Sequence, residues 1–384
     1  MSALNSRFFN RDSYNIISKW WYDLDKINFL IIVGIMVFGL MVCATSTTAV
    51  AKKIGVDKFF FLKKQVFFVV AGFFIMVAIS FLKKEYITAL CLAGLVASIL
   101  MLLFVALFGF EIKGSKRWLS IFSFAIQPSE FAKTFFVVSN AFILQKFNSH
   151  SFSLKYGVSS MLFLLVSSLL VIQPDIGMTL TICVLWASQL FLNGISIFFV
   201  GFCAILAVIG GVSAYLFLPH VEDRVNRFLD LESKNYQVER SMDAFANGGL
   251  LGVGQGNGVV KQFIPDSHTD FVFAVISEEY GALSSLLLLL AFLFLISRIV
   301  KKALGEDDLF TYLCLLGLMM QFTMQIVVNT GVSMRLFPTK GMTLPFISYG
   351  GSSMLSIAIC FGLILSFTKK RYHRKVDYGN LNII

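Results

Sequence analysis

Asp270 stands where a long polar stretch, His220 to Phe271, gives way to a hydrophobic run. The stretch ends in Pro265-Asp266-Ser267-His268-Thr269-Asp270-Phe271. A carboxylate at the edge of hydrocarbon is hard to justify by stability. At the water-facing end of an apolar segment it can exchange protons and meet a substrate, which is what a general base needs. If the following run is helical, Asp270, Ala274, Ser277, Gly281 and Ser284 share one narrow stripe of small and polar residues. Glu278 then lies about 80° around the helix from Asp270 and about 12 Å deeper. Glu279 points to the opposite side. Pairing with a neighbouring helix is the expected role of both glutamates.

Further charged and polar groups recur in segments that should lie on the same side. Gly114-Ser115-Lys116-Arg117-Trp118 precedes Gln127-Pro128-Ser129-Glu130-Phe131-Ala132-Lys133. Pro128 suits a first helical turn, with Glu130 near its positive end and Lys133 within pairing reach at i, i+3. Gln173-Pro174-Asp175 repeats the theme, and Asp175 is either a helix cap or a functional acid. Gln321, Gln325 and Asn329 follow one another at i+4 and read chiefly as amide glue between helices. The segment Leu336 to Ser353 holds two prolines and a run of Gly and Ser, so it must line a cavity or pack against protein. Lys340 in that segment needs an anion, supplied by a side chain or a ligand.

These groups need a scaffold, and composition says which. The chain is 57% hydrophobic and 14% charged, with a mean hydropathy of +0.80. A soluble domain carries about 25% charged residues. We count ten candidate spans, at 28–48, 65–82, 87–109, 129–147, 156–173, 177–193, 196–218, 270–299, 309–333 and 345–368. The expected fold is an all-α polytopic membrane bundle of about ten helices. It comprises a 1–27 N-terminal tail, a 28–368 transmembrane domain with a long extracytoplasmic loop at 219–269, and a basic 369–384 tail. Ten spans put both ends on one side, and the cluster Lys369-Lys370-Arg371 favours the cytoplasm. Lys and Arg are otherwise almost evenly divided, and Lys52, Lys53, Lys58, Lys63 and Lys64 in the first outer loop oppose that orientation. The net charge of +10 is spread in short clusters between apolar runs, which suits lipid headgroups and argues against nucleic acid. The six cysteines all fall inside apolar runs and read as packing residues.

The long loop should carry structure of its own. Val221, Val225, Phe228 and Leu229 share a helical face, with Arg224 and Arg227 turned elsewhere, as in an interfacial helix. Val238, Met242 and Phe245 repeat the helical spacing. Then comes Gly248-Gly249-Leu250-Leu251-Gly252-Val253-Gly254-Gln255-Gly256-Asn257-Gly258. It lacks the Gly-Lys-Ser/Thr of a phosphate-binding loop. It is either a flexible turn or a place where backbone approaches a ligand closely.

Pro338-Thr339-Lys340-Gly341-Met342-Thr343-Leu344-Pro345-Phe346-Ile347-Ser348-Tyr349-Gly350-Gly351, with Gln-Pro-Ser-Glu, Gln-Pro-Asp and His-Thr-Asp-Phe, resembles the SEDS family. These are bacterial shape, elongation, division and sporulation proteins. The resemblance runs from Gly114 to Ser353 and looks like the division branch; the elongation branch usually differs at Lys340. It implies a ten-helix peptidoglycan glycosyltransferase that polymerises lipid II, with its essential acid at Asp270 on the outer face. It also implies a class B penicillin-binding transpeptidase as partner, among other division proteins at the septum. On that basis Asp270 is the expected base. Lys340, Arg224, Lys116 and Arg117 are the expected diphosphate contacts, with Ser348 and Asp266 as further substrate contacts. Glu130, Lys133, Asp175, Glu278 and Glu279 are expected to support them. A divalent cation, Mg2+ or Mn2+, could share the work at Asp270. Asp266 stands where the family usually has Glu, and Tyr280 where it usually has Leu. A lipid II flippase and a non-catalytic division scaffold remain as alternative readings.

Overall fold

Asp25 starts the first long helix. Its carboxylate accepts the backbone N–H of Asn28 at 3.3 Å, satisfying one of the donors a helix start leaves open. The helix ends at Gly55, whose φ of +71° turns its N–H back onto the carbonyls of Ala51 and Lys52. Apolar runs form most of the remaining helices, several of which start without a side-chain cap. The computed structural model describes residues 16–112, 115–121, 124–217, 222, 226, 236–338 and 341–369.

In chain order the helices are α1 (Ile16–Asp23), α2 (Lys26–Ile54), α3 (Phe60–Phe81), α4 (Lys84–Phe108), α5 (Pro128–Lys146), α6 (Phe152–Ile172), α7 (Ile176–Leu192) and α8 (Ile197–Phe217). They continue with α9 (Tyr236–Gly248), a 3-10 turn at Val260–Gln262, α10 (Val272–Leu304), α11 (Leu309–Ser333) and α12 (Gly351–Phe367). Each of the ten sequence-derived segments holds one long helix. Among the described residues six helices, α2, α3, α4, α6, α10 and α11, are long and apolar enough to cross a membrane. The helix α1 lies inside the expected tail. It packs Trp20 flat on Phe81, with ring centroids 4.7 Å apart.

The core sits around α5, α11 and α12. Helix α12 packs along α3 and α5, and α11 against α5, α7 and α10. Phe322 meets the edges of Phe292 and Phe361 at 5.6 and 4.8 Å. Large apolar side chains along the outer face of α10, such as Leu283, Leu287 and Leu293, are exposed, as lipid contact requires. Five cysteines, Cys43, Cys91, Cys183, Cys314 and Cys360, are free thiols.

Two features depart from the sequence reading. Three short strands form a small antiparallel sheet, β1 (Phe110–Ile112), β2 (Ser115–Ile121) and β3 (Phe124–Ile126), in that order. Buried Leu119 and exposed Ser120 show the two-residue alternation of a strand, too short to stand out among helices. The second departure is in α10. Its first turn begins at Val272, after Asp270, and at Gly281 the backbone leaves helical geometry (φ +84°, ψ 170°). The stripe running through Asp270, Gly281 and Ser284 is therefore not continuous.

The glycine-rich segment explains the break. Gly252, at φ +83°, lies so close that a Cβ on it would sit 2.6 Å from the Gly281 nitrogen. Val253 and Gly254 donate their N–H groups to the carbonyls of Glu278 and Glu279, both at 3.0 Å. Ala282 and Leu283 donate theirs to Gly249 and Leu250, at 2.9 and 3.2 Å. The groups that an interrupted helix leaves open are thus satisfied by a second backbone. The glycines serve protein-to-protein backbone contact. They also fix the half-helix 272–280, which leads from Asp270 into the bundle.

Candidate active site at Asp270

The backbone around Asp270 is gripped on both sides. Asp266, in a left-handed conformation at φ +54°, offers its carbonyl to the N–H of Thr269 and Asp270 at 3.0 and 3.1 Å. From the opposite side comes the segment 341–350. Tyr349 donates its N–H to the His268 carbonyl at 2.9 Å. The Ser348 hydroxyl donates to the Thr269 carbonyl at 2.6 Å and accepts from the Leu344 N–H at 2.7 Å. Asn329 on α11 uses its amide nitrogen twice, donating to the carbonyls of Asp270 (2.9 Å) and Met342 (2.6 Å). Gln65 on α3 holds the same segment by donating to the Ser348 carbonyl and accepting from the Gly350 N–H, each at 3.3 Å.

The side chain of Asp270 is half-buried. Gly341 faces it directly: a Cβ there would lie 3.3 Å from Oδ2, and its φ of +68° favours glycine in any case. A side chain at 341 would crowd the carboxylate. A rigid backbone carrying a partly exposed carboxylate is the arrangement a catalytic base requires.

His268 lies beside this centre, between Phe61 and Tyr349, with ring centroids 5.6 and 5.5 Å away. Burial pushes its pKa below the ordinary 6.5, and the nearby Asp266 charge only partly offsets that. Its Nδ1 is buried without a hydrogen-bond partner among the described residues, so the neutral ring is the favoured form.

The two glutamates of α10 are both bound by protein groups. Glu278 accepts from the backbone N–H groups of Val260 (2.7 Å) and Lys261 (2.9 Å) and from the Asn247 amide (3.0 Å). Asn247 belongs to the neighbouring helix α9, as the sequence suggested, and the other two partners are backbone groups of the 3-10 turn. Glu279 also reaches a neighbouring helix, accepting from the Thr45 hydroxyl of α2 at 2.6 Å. Its charge partner, however, is the ammonium of Lys261 in the loop. Lys261, only 3% exposed, is a residue the sequence did not single out, since a lysine in a polar loop carries no signal. Gln65 did carry one, an amide inside an apolar run, and was passed over.

The other expected residues are placed as follows. Glu130 and Lys133 form a buried i, i+3 ion pair at 2.7 Å, and the Glu130 carbonyl accepts from Ser356 on α12. Asp175 caps α7 by accepting from Met178 N–H at 3.2 Å. It also lies 3.6 Å from Arg117, which donates to the Pro174 carbonyl. Arg117 is thus anchored to protein through part of its guanidinium, while its Nε has no hydrogen-bond partner among the described residues. Ser348 departs from its expected role as a substrate contact, because its single proton is committed to the Thr269 carbonyl. Lys340 and Arg224 lie outside the described residues, as does the side chain of Lys116. Gln321 donates to Thr134 at 2.8 Å, joining α11 to α5.

The fold and this site define a multi-pass membrane protein. The chain belongs to the FtsW/RodA/SpoVE family, described as "Cell cycle protein", which matches residues 26–373. It is 32% identical to a "Probable peptidoglycan glycosyltransferase FtsW" of Caulobacter vibrioides, over 97% of this chain and 96% of that one. A protein of the same description from Coxiella burnetii is 36% identical over 73% of this chain and 78% of its own. Among solved structures, a chain from "Structural coordination of polymerization and crosslinking by a peptidoglycan synthase complex" superposes with a TM-score of 0.75. It is 27% identical, covering 91% of this chain and 98% of that one. The Thermus thermophilus rod shape determining protein RodA shares the fold at a TM-score of 0.67 and 24% identity, with 91% of this chain and 97% of that one covered.

Proposed function

We propose that this protein is a peptidoglycan glycosyltransferase that polymerises lipid II at the outer face of the cytoplasmic membrane during division. The observation that carries the reading is the Asp270 carboxylate, held by backbone clamps and faced by Gly341. The acceptor sugar hydroxyl attacks the anomeric carbon of the donor. The bond from that carbon to the diphosphate breaks, and the polyprenyl diphosphate leaves with the electron pair. Asp270 takes the hydroxyl proton as the new glycosidic bond forms. Positive charge must meet the leaving diphosphate. Lys340, the chain neighbour of Gly341, is the first candidate, followed by Arg224 and Lys116.

A divalent cation would fit only in a limited way. Among the described residues no three His, Cys, Asp or Glu side chains gather to hold a metal. Mg2+ needs few carboxylates when substrate phosphates supply the rest, so Asp270 would be its single protein arm.

The likeness to a synthase complex chain supports a class B penicillin-binding transpeptidase as partner. We also assign the protein to the septum, beside other division membrane proteins, with both termini cytoplasmic. The flippase reading is less well supported. The buried charges it would use are already paired, Glu130 with Lys133 and Glu279 with Lys261.

The test is lipid II polymerisation by purified protein together with its transpeptidase. Asp270→Ala should abolish glycan strands while leaving thermal stability near the wild-type value. Normal polymerisation by Asp270→Ala would end the assignment of the base. Lipid II translocation in liposomes without any polymer would favour the flippase.

A further inference from the structure

A lysine-lined cavity lies away from Asp270, where the end of α2 meets the turn at Val260–Gln262. It has a volume of about 710 Å³ and is lined by Thr48, Lys52, Lys53, Lys58, Lys261 and Gln262, among others, with no carboxylate in its wall. The Lys261 charge is neutralised by Glu279. Asp57, the chain neighbour of Lys58, is taken by Lys63 at 2.8 Å. Lys52, Lys53 and Lys58 are exposed and form no ion pair among the described residues. Three lysines therefore line one cavity without a counterion among the described residues. Complementing the end of α2 accounts for two lysines in its last turn. It does not account for Lys58 or for the hollow between them.

The depth of the cavity identifies the anion. Helix α2 has 29 residues, so it is about 43 Å long, against a hydrocarbon core of about 30 Å. Its last turn thus reaches headgroup level. Ile54, Phe59 and Phe60 beside the cavity are 57%, 47% and 38% exposed, which offers apolar surface for the glycerol and upper acyl region of a lipid. We propose that this cavity binds the phosphate of an anionic phospholipid headgroup, held by Lys52, Lys53 and Lys58. A lipid seated there would also touch Lys261 and Gln262, whose turn is tied to α10 through Glu278 and Glu279. The proposal does not depend on the glycosyltransferase reading.

The test is lipid titration of purified full-length protein by native mass spectrometry, with phosphatidylglycerol and phosphatidylcholine compared. Replacing Lys52, Lys53 and Lys58 together by Gln should weaken phosphatidylglycerol binding on the order of 100-fold, about fivefold per lysine. Phosphatidylcholine binding and the thermal midpoint should not change. The control is Lys64→Gln, which removes a charge from the start of α3 but not from the cavity wall and should bind normally. Undiminished phosphatidylglycerol binding by the triple variant would overturn the proposal, and so would an equal loss in the control. Inorganic phosphate bound through the same lysines, with no lipid retained, would overturn the lipid assignment.

Discussion

Gly252 and Gly281 lie back to back. A Cβ on Gly281 would fall 2.5 Å from the Gly252 nitrogen, and a Cβ on Gly252 would fall 2.6 Å from that of Gly281. This contact splices a polar loop into a broken membrane helix and fixes the half-helix that follows Asp270. Gly281→Ala meets both a disfavoured φ and a backbone clash. It should cost about 3 kcal/mol or more, visible as a lower thermal midpoint in detergent and reduced abundance. Gly256 has a similar φ of +83° but open space around it. Gly256→Ala should cost only the strain of about 1–2 kcal/mol. Equal midpoints for the two variants would refute the splice.

Asn329 gives a prediction about positioning. Its amide nitrogen joins the Asp270 and Met342 carbonyls, and an Asp in its place has no proton to donate there. Asn329→Asp should lower kcat roughly 100-fold, the scale of a misplaced catalytic group, with a much smaller change in KM. A fall confined to KM would point instead to substrate contact.

The Glu279–Lys261 pair offers a double-mutant test. Glu279→Gln leaves a buried ammonium without its partner, which should cost about 3–5 kcal/mol. Lys261→Met combined with Glu279→Gln should recover most of that loss. Additive losses in the thermal midpoints would mean that the two side chains are not coupled.

His268 predicts a pH dependence. Burial holds its pKa below 6.5 in the folded protein, so below that pH the unfolded chain binds the extra proton first. Stability therefore rises with pH up to about 6.5 and falls as the medium is acidified below it. His268→Phe, which keeps the aromatic contacts with Phe61 and Tyr349, should flatten that part of the profile. Thermal midpoints measured between about pH 5 and pH 7.5 check this, and identical slopes for both proteins would exclude His268 as the titrating group.

The positions of the helices were legible in the sequence because burial in lipid demands long apolar runs closed by caps and charged loops. Asp270 was legible for the same reason, as a carboxylate at a border that costs free energy. The ion pair of Glu130 with Lys133 followed from helical spacing alone. None of this depends on which distant segments meet.

Only the tertiary structure decided what those residues touch. The glycine-rich segment read as a turn or a ligand loop, and became the splint of a broken helix only once Gly252 was seen against Gly281. Ser348 spends its single proton on the Thr269 carbonyl, and Arg117 is anchored to the Pro174 carbonyl and beside Asp175. Lys261, Gln65 and Asn329 gained their roles from partners far away in sequence. Hydrophobic periodicity specifies where a chain is buried, whereas hydrogen-bond partners across the bundle depend on packing that no local pattern encodes.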